Sequence, residues 1–116
     1  IPIHFQQLLL NILNNALKYS KPDVKPVIKI NATKEQIGKQ LFWKISIADN
    51  GIGFDPQYKD RIFEAFQRLH GKMEYVGTGI GLAICQKIAH KHNGYITAEG
   101  KPDEGATFHI FLPIKE

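Results

Sequence analysis

A two-layer α+β sandwich, with helices on one face of a mixed, mostly antiparallel sheet, is the fold class predicted for this sequence of 116 residues. Three observations predict it: an amphipathic segment opens the chain, two alternating segments joined by a turn follow, and the helix-then-hairpin order repeats towards the end. The length fits one domain, spanning 1–116, that buries a core without disulfide or metal support. Hydrophobic residues at 43% and charged residues at 22% are ordinary for a globular protein. No apolar run approaches the ~20 residues needed to cross a bilayer, and no signal-peptide pattern opens the chain. That points to a cytoplasmic domain, whether its parent protein is soluble or membrane-anchored. The formal charge of +4 is scattered from Lys18 to Lys115 with no basic run or aromatic-interleaved stripe, which disfavours nucleic acid. Cys85, the one cysteine, cannot form an internal disulfide and lies in an apolar helical stretch, so it reads as packing.

Residues 3–19 are predicted to form a helix, because Phe5, Leu8, Leu9, Ile12, Leu13, Ala16 and Leu17 recur at helical spacing and Pro2 suits a first turn. Lys21-Pro22-Asp23 breaks it. Residues 27–33 alternate as a half-buried strand does, and a turn near Gly38 leads to a second strand over 41–48 that delivers Asp49 at its end. A short helix is predicted over 57–66, followed by a polar, weakly periodic stretch over 67–76 that reads as mobile. Helical periodicity returns over 79–92, with Gly94 placed to cap the end. Strands over 95–99 and 106–113 flank the turn at Lys101-Pro102-Asp103-Glu104-Gly105.

The first helix carries a polar stripe of His4, Gln7, Asn11, Asn14, Asn15 and Lys18, stepping by three or four residues. A solvated stripe favours Glu, Lys and Arg, whereas asparagine is a mediocre helix former, so three in five residues suggest that an amide is wanted. An amide oxygen is a hard neutral ligand suited to Mg²⁺, with Asn15 as the preferred metal ligand and Lys18 one turn further on to reach a phosphate. Asp49-Asn50-Gly51-Ile52-Gly53 places a carboxylate at a sheet edge beside two flexible glycines. Asp49 there can accept a hydrogen bond from the exocyclic amine of adenine. Guanine offers a carbonyl instead and leaves the carboxylate unpaired, at a cost of about 1–3 kcal/mol. Gly77-Thr78-Gly79-Ile80-Gly81-Leu82 opens a helix, where backbone amides and the positive dipole end suit phosphates. Taken singly, each segment is also an ordinary turn or helix cap. Together they describe a nucleotide pocket.

The chain resembles, over nearly its whole length, the catalytic and ATP-binding domain of sensor histidine kinases. That domain has the Bergerat fold and belongs to the superfamily shared with type II topoisomerase, Hsp90-type and mismatch-repair ATPases. Residues 7–20 are similar to the family's N box, 49–53 to its G1 box, 63–66 (Phe63-Glu64-Ala65-Phe66) to its F box and 77–82 to its G2 box, with a lid over about 54–76. Gly105-Ala106-Thr107-Phe108 is similar to its closing glycine motif. Phe66-Gln67-Arg68-Leu69-His70 is especially similar to phytochrome-like and other multi-sensor kinases. The resemblance implies ATP and Mg²⁺ as cofactors. Asn15 is then the metal ligand with Asn11 nearby, Lys18 and Tyr19 contact phosphate or ribose, and Asp49 reads adenine. Gly51, Gly53 and Thr107 belong to the adenine end, and Arg68 approaches the terminal phosphate. Gly77, Thr78, Gly79, Ile80, Gly81 and Leu82 complete the nucleotide site, while His70 and Lys72 are weaker lid positions.

Asn11 stands one turn before Asn15, where ATP-hydrolysing relatives carry a glutamate that activates water; an asparagine cannot take that proton. Phosphoryl transfer is therefore expected over hydrolysis. The nucleophile that the resemblance implies is a histidine on a separate dimerisation domain. None of His4, His70, His90, His92 and His109 is followed by the acidic residue and downstream proline of a phosphoacceptor helix. The implied partners are that domain of a larger kinase and, indirectly, a response regulator. The resemblance also implies a short strand ahead of the N box, for which a beginning at Ile1 is expected to leave no room. Two rival readings share the pocket: a nucleotide-holding pseudokinase that transfers nothing, and a serine kinase of the anti-sigma type.

Overall fold

The computed structural model describes residues 3–59, 61–63 and 79–114. Helix α1 runs Ile3–Lys18, strands β1 and β2 run Ile28–Ile37 and Gln40–Asp49, helix α2 runs Gly79–Lys91, and strands β3 and β4 run Tyr95–Lys101 and Gly105–Pro113. The predicted helix over 57–66 is instead two 3₁₀ turns, Pro56–Tyr58 and Arg61–Phe63, with residues 64–66 outside the described set. Asp55 caps the first turn by accepting a hydrogen bond from the Gln57 N–H at 3.0 Å, and Pro56 supplies a preset φ.

The strands form one sheet in the order β1-β2-β4-β3, and every pairing among them is antiparallel, in keeping with the mostly antiparallel sheet expected. Both helices lie on one face. There Leu8, Ile12 and Ala16 of α1 and Leu82, Cys85, Ile88 and Ala89 of α2 are buried, as are Ile47, Ile96, Phe108 and Ile110 of the sheet. Each such fully buried large side chain contributes about 1.5–3 kcal/mol. Leu17, expected on the apolar face of α1, is instead exposed. A hydroxyl ends α1, because Ser20 Oγ donates to the Leu17 carbonyl at 2.9 Å.

The edge strand β1 departs from its expected half-buried character, since six consecutive residues from Lys29 to Lys34 are exposed and Ile30 keeps 59% of its surface. Among the described residues, Ile28 at the Asp49 end packs against the core, and the rest of the alternation of β1 lies in solvent. On the helix-free face, Tyr95 and Phe111 stack at 4.5 Å between centroids and Phe42 meets both edge-on. Beside them, Ser46 Oγ lies 2.7 Å from His109 Nδ1, and His109 Nε2 contacts Glu99.

The end of α2 corrects another expectation. Asn93, not Gly94, takes the left-handed conformation (φ 64°), with Asn93 N–H donating to His90 O at 3.0 Å and Gly94 N–H to Ala89 O at 2.9 Å. This is the Schellman arrangement with asparagine at its left-handed position. Gly94 is needed for space: a Cβ there falls 1.9 Å from the Phe111 carbonyl oxygen.

Candidate functional site

The antiparallel register sets Asp49, the last residue of β2, opposite Ala106 of β4. Its Oδ1 accepts hydrogen bonds from the Gly51 N–H at 2.9 Å and the Ala106 N–H at 3.3 Å. Oδ2 takes part in neither bond and is the oxygen that can meet a ligand. Burial pushes the Asp49 carboxyl above its ordinary value of 3.8, and the two backbone donors counter that only partly.

The turn after Asp49 is wedged between two other elements. Ile52 N–H donates to the Tyr19 carbonyl at the end of α1 at 2.9 Å, and Asp103 N–H of the β3–β4 turn donates to the Ile52 carbonyl at 2.8 Å. Close approach explains both glycines. A Cβ on Gly51 falls 2.5 Å from Tyr19 O, while Gly53 has φ +67° and its Cβ would lie 2.1 Å from Lys101 O. Asn50 carries a role that the sequence did not reveal: its Oδ1 accepts from Val27 N–H at 2.8 Å and its Nδ2 donates to Lys25 O at 3.1 Å. It fastens the connection between α1 and β1, and the only signal for it was a turn-forming residue type.

Along α1 the polar stripe separates. Asn15 is buried, at 2% exposure, and its Oδ1 has no hydrogen-bond partner among the described residues, whereas Asn14 is exposed and Asn11 half-buried. Asn15 shares the inward face with Leu8 and Ile12, so its amide sits at the boundary between core and site. A buried carbonyl oxygen left unpaired costs about 1–3 kcal/mol unless something else meets it. A hard, neutral, preset oxygen is what a Mg²⁺ ion accepts from a protein, so the residues present fit that ion. Lys18 is exposed and its Nζ stands 5.9 Å from the Tyr19 ring centroid.

Asp49, Gly51, Gly53, Tyr19 and Asn15 are thus brought to one end of the sheet, around the close of α1. Thr107 is not. The register sets it between Ala48 and Glu99, on the helix-free face, so alternation directs its side chain away from the Asp49 carboxylate and Ala106 takes the adjoining place. Leu82 is a second correction, since its side chain is 1% exposed and packs in the core, leaving only its backbone for a ligand. Gly79, Ile80 and Gly81 form the first turn of α2. Arg68, Gly77, Thr78, His70, Lys72, residues 64–66 of the F box and the predicted mobile stretch 67–76 lie outside the described residues. A groove of about 760 Å³, lined by Gln36, Gln40, Phe42, Asn93 and Pro113 among others, lies at the other end of β2 and contains none of the site residues.

Comparison with known proteins shows the family and the fold. The whole chain, residues 1–116, matches the family described as histidine kinase-, DNA gyrase B-, and HSP90-like ATPase. Phytochrome-like protein Cph1 of Synechocystis sp. is 45% identical over 112 residues, which cover 97% of this chain and 14% of Cph1. The chain therefore spans about one-seventh of that relative's length. Among solved structures, the mycobacterial sensor histidine kinase MprB superposes with a TM-score of 0.72 at 30% identity, covering 95% of this chain and 72% of that one. Full-length ShkA in complex with AMPPNP superposes at 0.67 with 28% identity, covering 97% of this chain and 22% of that one.

Proposed function

Because the chain belongs to the histidine kinase-, DNA gyrase B- and HSP90-like ATPase family, we propose that it binds Mg-ATP around the close of α1 and the 49–53 turn. In this reading it donates the γ-phosphoryl group to a histidine on a separate dimerisation and phosphoacceptor domain of its parent kinase, which in turn serves a response regulator. The observation that carries the reading is the buried, unpartnered Oδ1 of Asn15, on the same helix whose final carbonyl receives the Asp49 turn. The AMPPNP complex of the related ShkA supports the same ligand class.

Asp49 accepts the exocyclic amine of adenine through Oδ2, while its Oδ1 is held by two backbone donors so that the carboxylate cannot swing away. Asn15 would hold Mg²⁺, with Asn11 nearby. That ion supplies charge neutralisation at the phosphates, the main requirement of phosphoryl transfer. Lys18, Tyr19 and Arg68 contribute further contacts to phosphate or ribose, and the amides of 77–81 cradle the phosphates at the start of α2. Thr107 is dropped from the adenine contacts, because the strand pleat turns it to the other face. Asn11, having no basic lone pair to take a proton from water, disfavours hydrolysis and leaves the phosphoryl group for a better nucleophile.

Calorimetry with the magnesium complex of a non-hydrolysable ATP analogue tests the binding half: heat of association is expected for the wild type and none for Asp49→Ala. Incubation with ATP and a phosphoacceptor helix tests the transfer half, where acid-labile histidine phosphate is the expected product. Serine phosphate, or no phosphate despite binding, refutes it.

A further inference from the structure

On the helix-free face, one row of side chains crosses all four strands. The register pairs Asn31 of β1 with Ser46 of β2, Ser46 with His109 of β4, and His109 with Thr97 of β3, while Glu99 stands one diagonal step from His109 along β3. Opposed residues on one face stand about 5 Å apart between Cβ atoms, so neighbours in this row can reach one another. Ser46 Oγ lies 2.7 Å from His109 Nδ1, and His109 Nε2 contacts the Glu99 carboxylate. A carboxylate only accepts, so Nε2 carries the proton toward Glu99 and Nδ1 offers its lone pair to the Ser46 hydroxyl. The imidazole is sheltered, with 13% of its side chain exposed, whereas Ser46 is half-buried and Asn31 exposed, so a small molecule can approach between these two. A network that serves only the sheet needs no particular order of groups. Here the order is amide, hydroxyl, imidazole, carboxylate, which is that of oxyanion donor, nucleophile, base and orienting acid.

We propose that this row is an ester-cleaving site, in which Ser46 is the nucleophile toward small activated carboxylic esters. The Ser46 Oγ–C bond forms as the hydroxyl proton passes to His109 Nδ1; the ester C–O bond then breaks, and the same proton leaves with the alcohol. Water repeats the sequence on the acyl-serine: His109 takes its proton, the carboxylic acid departs and the hydroxyl is restored. Glu99 holds the imidazole in the tautomer this needs and stabilises the transient imidazolium. Asn31 Nδ2 donates to the developing oxyanion. A side chain must supply that donor, because β2 is flanked by β1 and β4 and its backbone N–H groups belong to the two ladders. With one such donor on an open face, the substrates are esters that bring a good leaving group. The row lies away from the helices and shares no residue with the nucleotide site.

The test uses p-nitrophenyl acetate, with nitrophenolate release followed by absorbance and the acetyl group mapped by mass spectrometry. Ser20, the other serine of the chain, is the internal control: it is also half-buried, but its hydroxyl meets the Leu17 carbonyl and no base. Ser46 is expected to be acetylated about 100-fold faster than Ser20, the low end of what a positioned general base supplies. His109→Gln, which keeps a polar side chain between Ser46 and Glu99, should remove that excess, and Ser46→Ala should remove the adduct. Glu99→Gln and Asn31→Ala, both at exposed positions, should each slow acylation of Ser46 about tenfold. Ser46 acetylated no faster than Ser20, a rate unchanged in His109→Gln, or acetyl groups confined to lysines overturns the proposal and leaves a network that only supports the sheet. Circular dichroism checks the fold of each variant. Should His109→Gln not fold, Glu99→Gln decides in its place, and undiminished acylation there overturns the proposal.

Discussion

Asn15→Leu separates a side chain held for a ligand from one held for the fold. Asn15 is 2% exposed on the inward face of α1, beside Leu8 and Ile12, and its Oδ1 has no partner among the described residues. Leaving that oxygen unpaired costs about 1–3 kcal/mol. Leucine has the same branched heavy-atom outline, removes the unmet acceptor and is the better helix former by about half a kcal/mol. Its methyl groups are somewhat larger than the amide atoms, and overpacking takes back part of the gain, on the order of 1 kcal/mol. The net expectation is a stabilisation of about 1–2 kcal/mol, which for a chain of this size raises Tm by about 4–8 °C. Binding should move the other way. Losing even an outer partner of a metal site costs about 10–100-fold in affinity, so losing the ligand itself should cost at least the upper figure. Thermal denaturation followed by far-UV circular dichroism without nucleotide gives the first quantity, and calorimetry with Mg-AMPPNP gives the second. A variant that melts below the wild type with equal cooperativity shows that Oδ1 supports the fold, and the reasoning from an orphaned acceptor fails.

Asp49→Asn keeps an oxygen for the Gly51 and Ala106 donors but turns an amide N–H₂ toward the adenine amine. Affinity for the ATP analogue should fall by about 2–3 kcal/mol, or about 30- to 150-fold, while Tm near neutral pH stays equal or rises. The same carboxyl sets a pH dependence. Its native pKa is raised by burial above 3.8, so between the unfolded and native values the unfolded chain binds fewer protons and wild-type stability declines as pH rises. Above the native pKa that contribution is flat, and urea titrations of Asp49→Asn across this window should lose the decline. Gly53→Ala should destabilise by about 2–4 kcal/mol in the same titrations, because φ is +67° and the new Cβ would lie 2.1 Å from the Lys101 carbonyl; a variant within 0.5 kcal/mol (approximately) of wild type refutes the wedge geometry. Thr107→Val, on the helix-free face, should leave the analogue's Kd within about twofold; a tenfold loss would put Thr107 back at the adenine.

Much of the fold was legible because its signals are periodic and local. The inward stripe of Leu8, Ile12 and Ala16, the alternation that leads β2 to Asp49, and the return of helical spacing after Gly79 survive in the structure almost residue for residue. What was misread depends on neighbours that periodicity does not name. β1 alternates as a half-buried strand does, yet it is the edge of the sheet, and beyond Ile28 its apolar residues are exposed. The glycine at 94 has the composition of a helix cap, yet its neighbour Asn93 takes the left-handed turn and the glycine makes room for a carbonyl of β4. The three asparagines of α1 read in the sequence as one polar stripe, but packing buries Asn15 and leaves Asn14 in solvent.

The order of helices and strands, the carboxylate at the end of β2 and the amide-rich helix were determined by the sequence alone, since hydrophobic spacing and residue chemistry act over a few neighbouring positions. Tertiary structure alone decided which of those groups meet. The register of β2 against β4 chose Ala106 over Thr107 beside Asp49, the wedge of the 49–53 turn against Tyr19 O required glycine at 51, and the packing of α2 on α1 brought the Cys85 sulfur to the Leu8 carbonyl. Each of these is a contact between residues more than 30 positions apart, and such contacts are fixed by burial and hydrogen-bond satisfaction across the whole core.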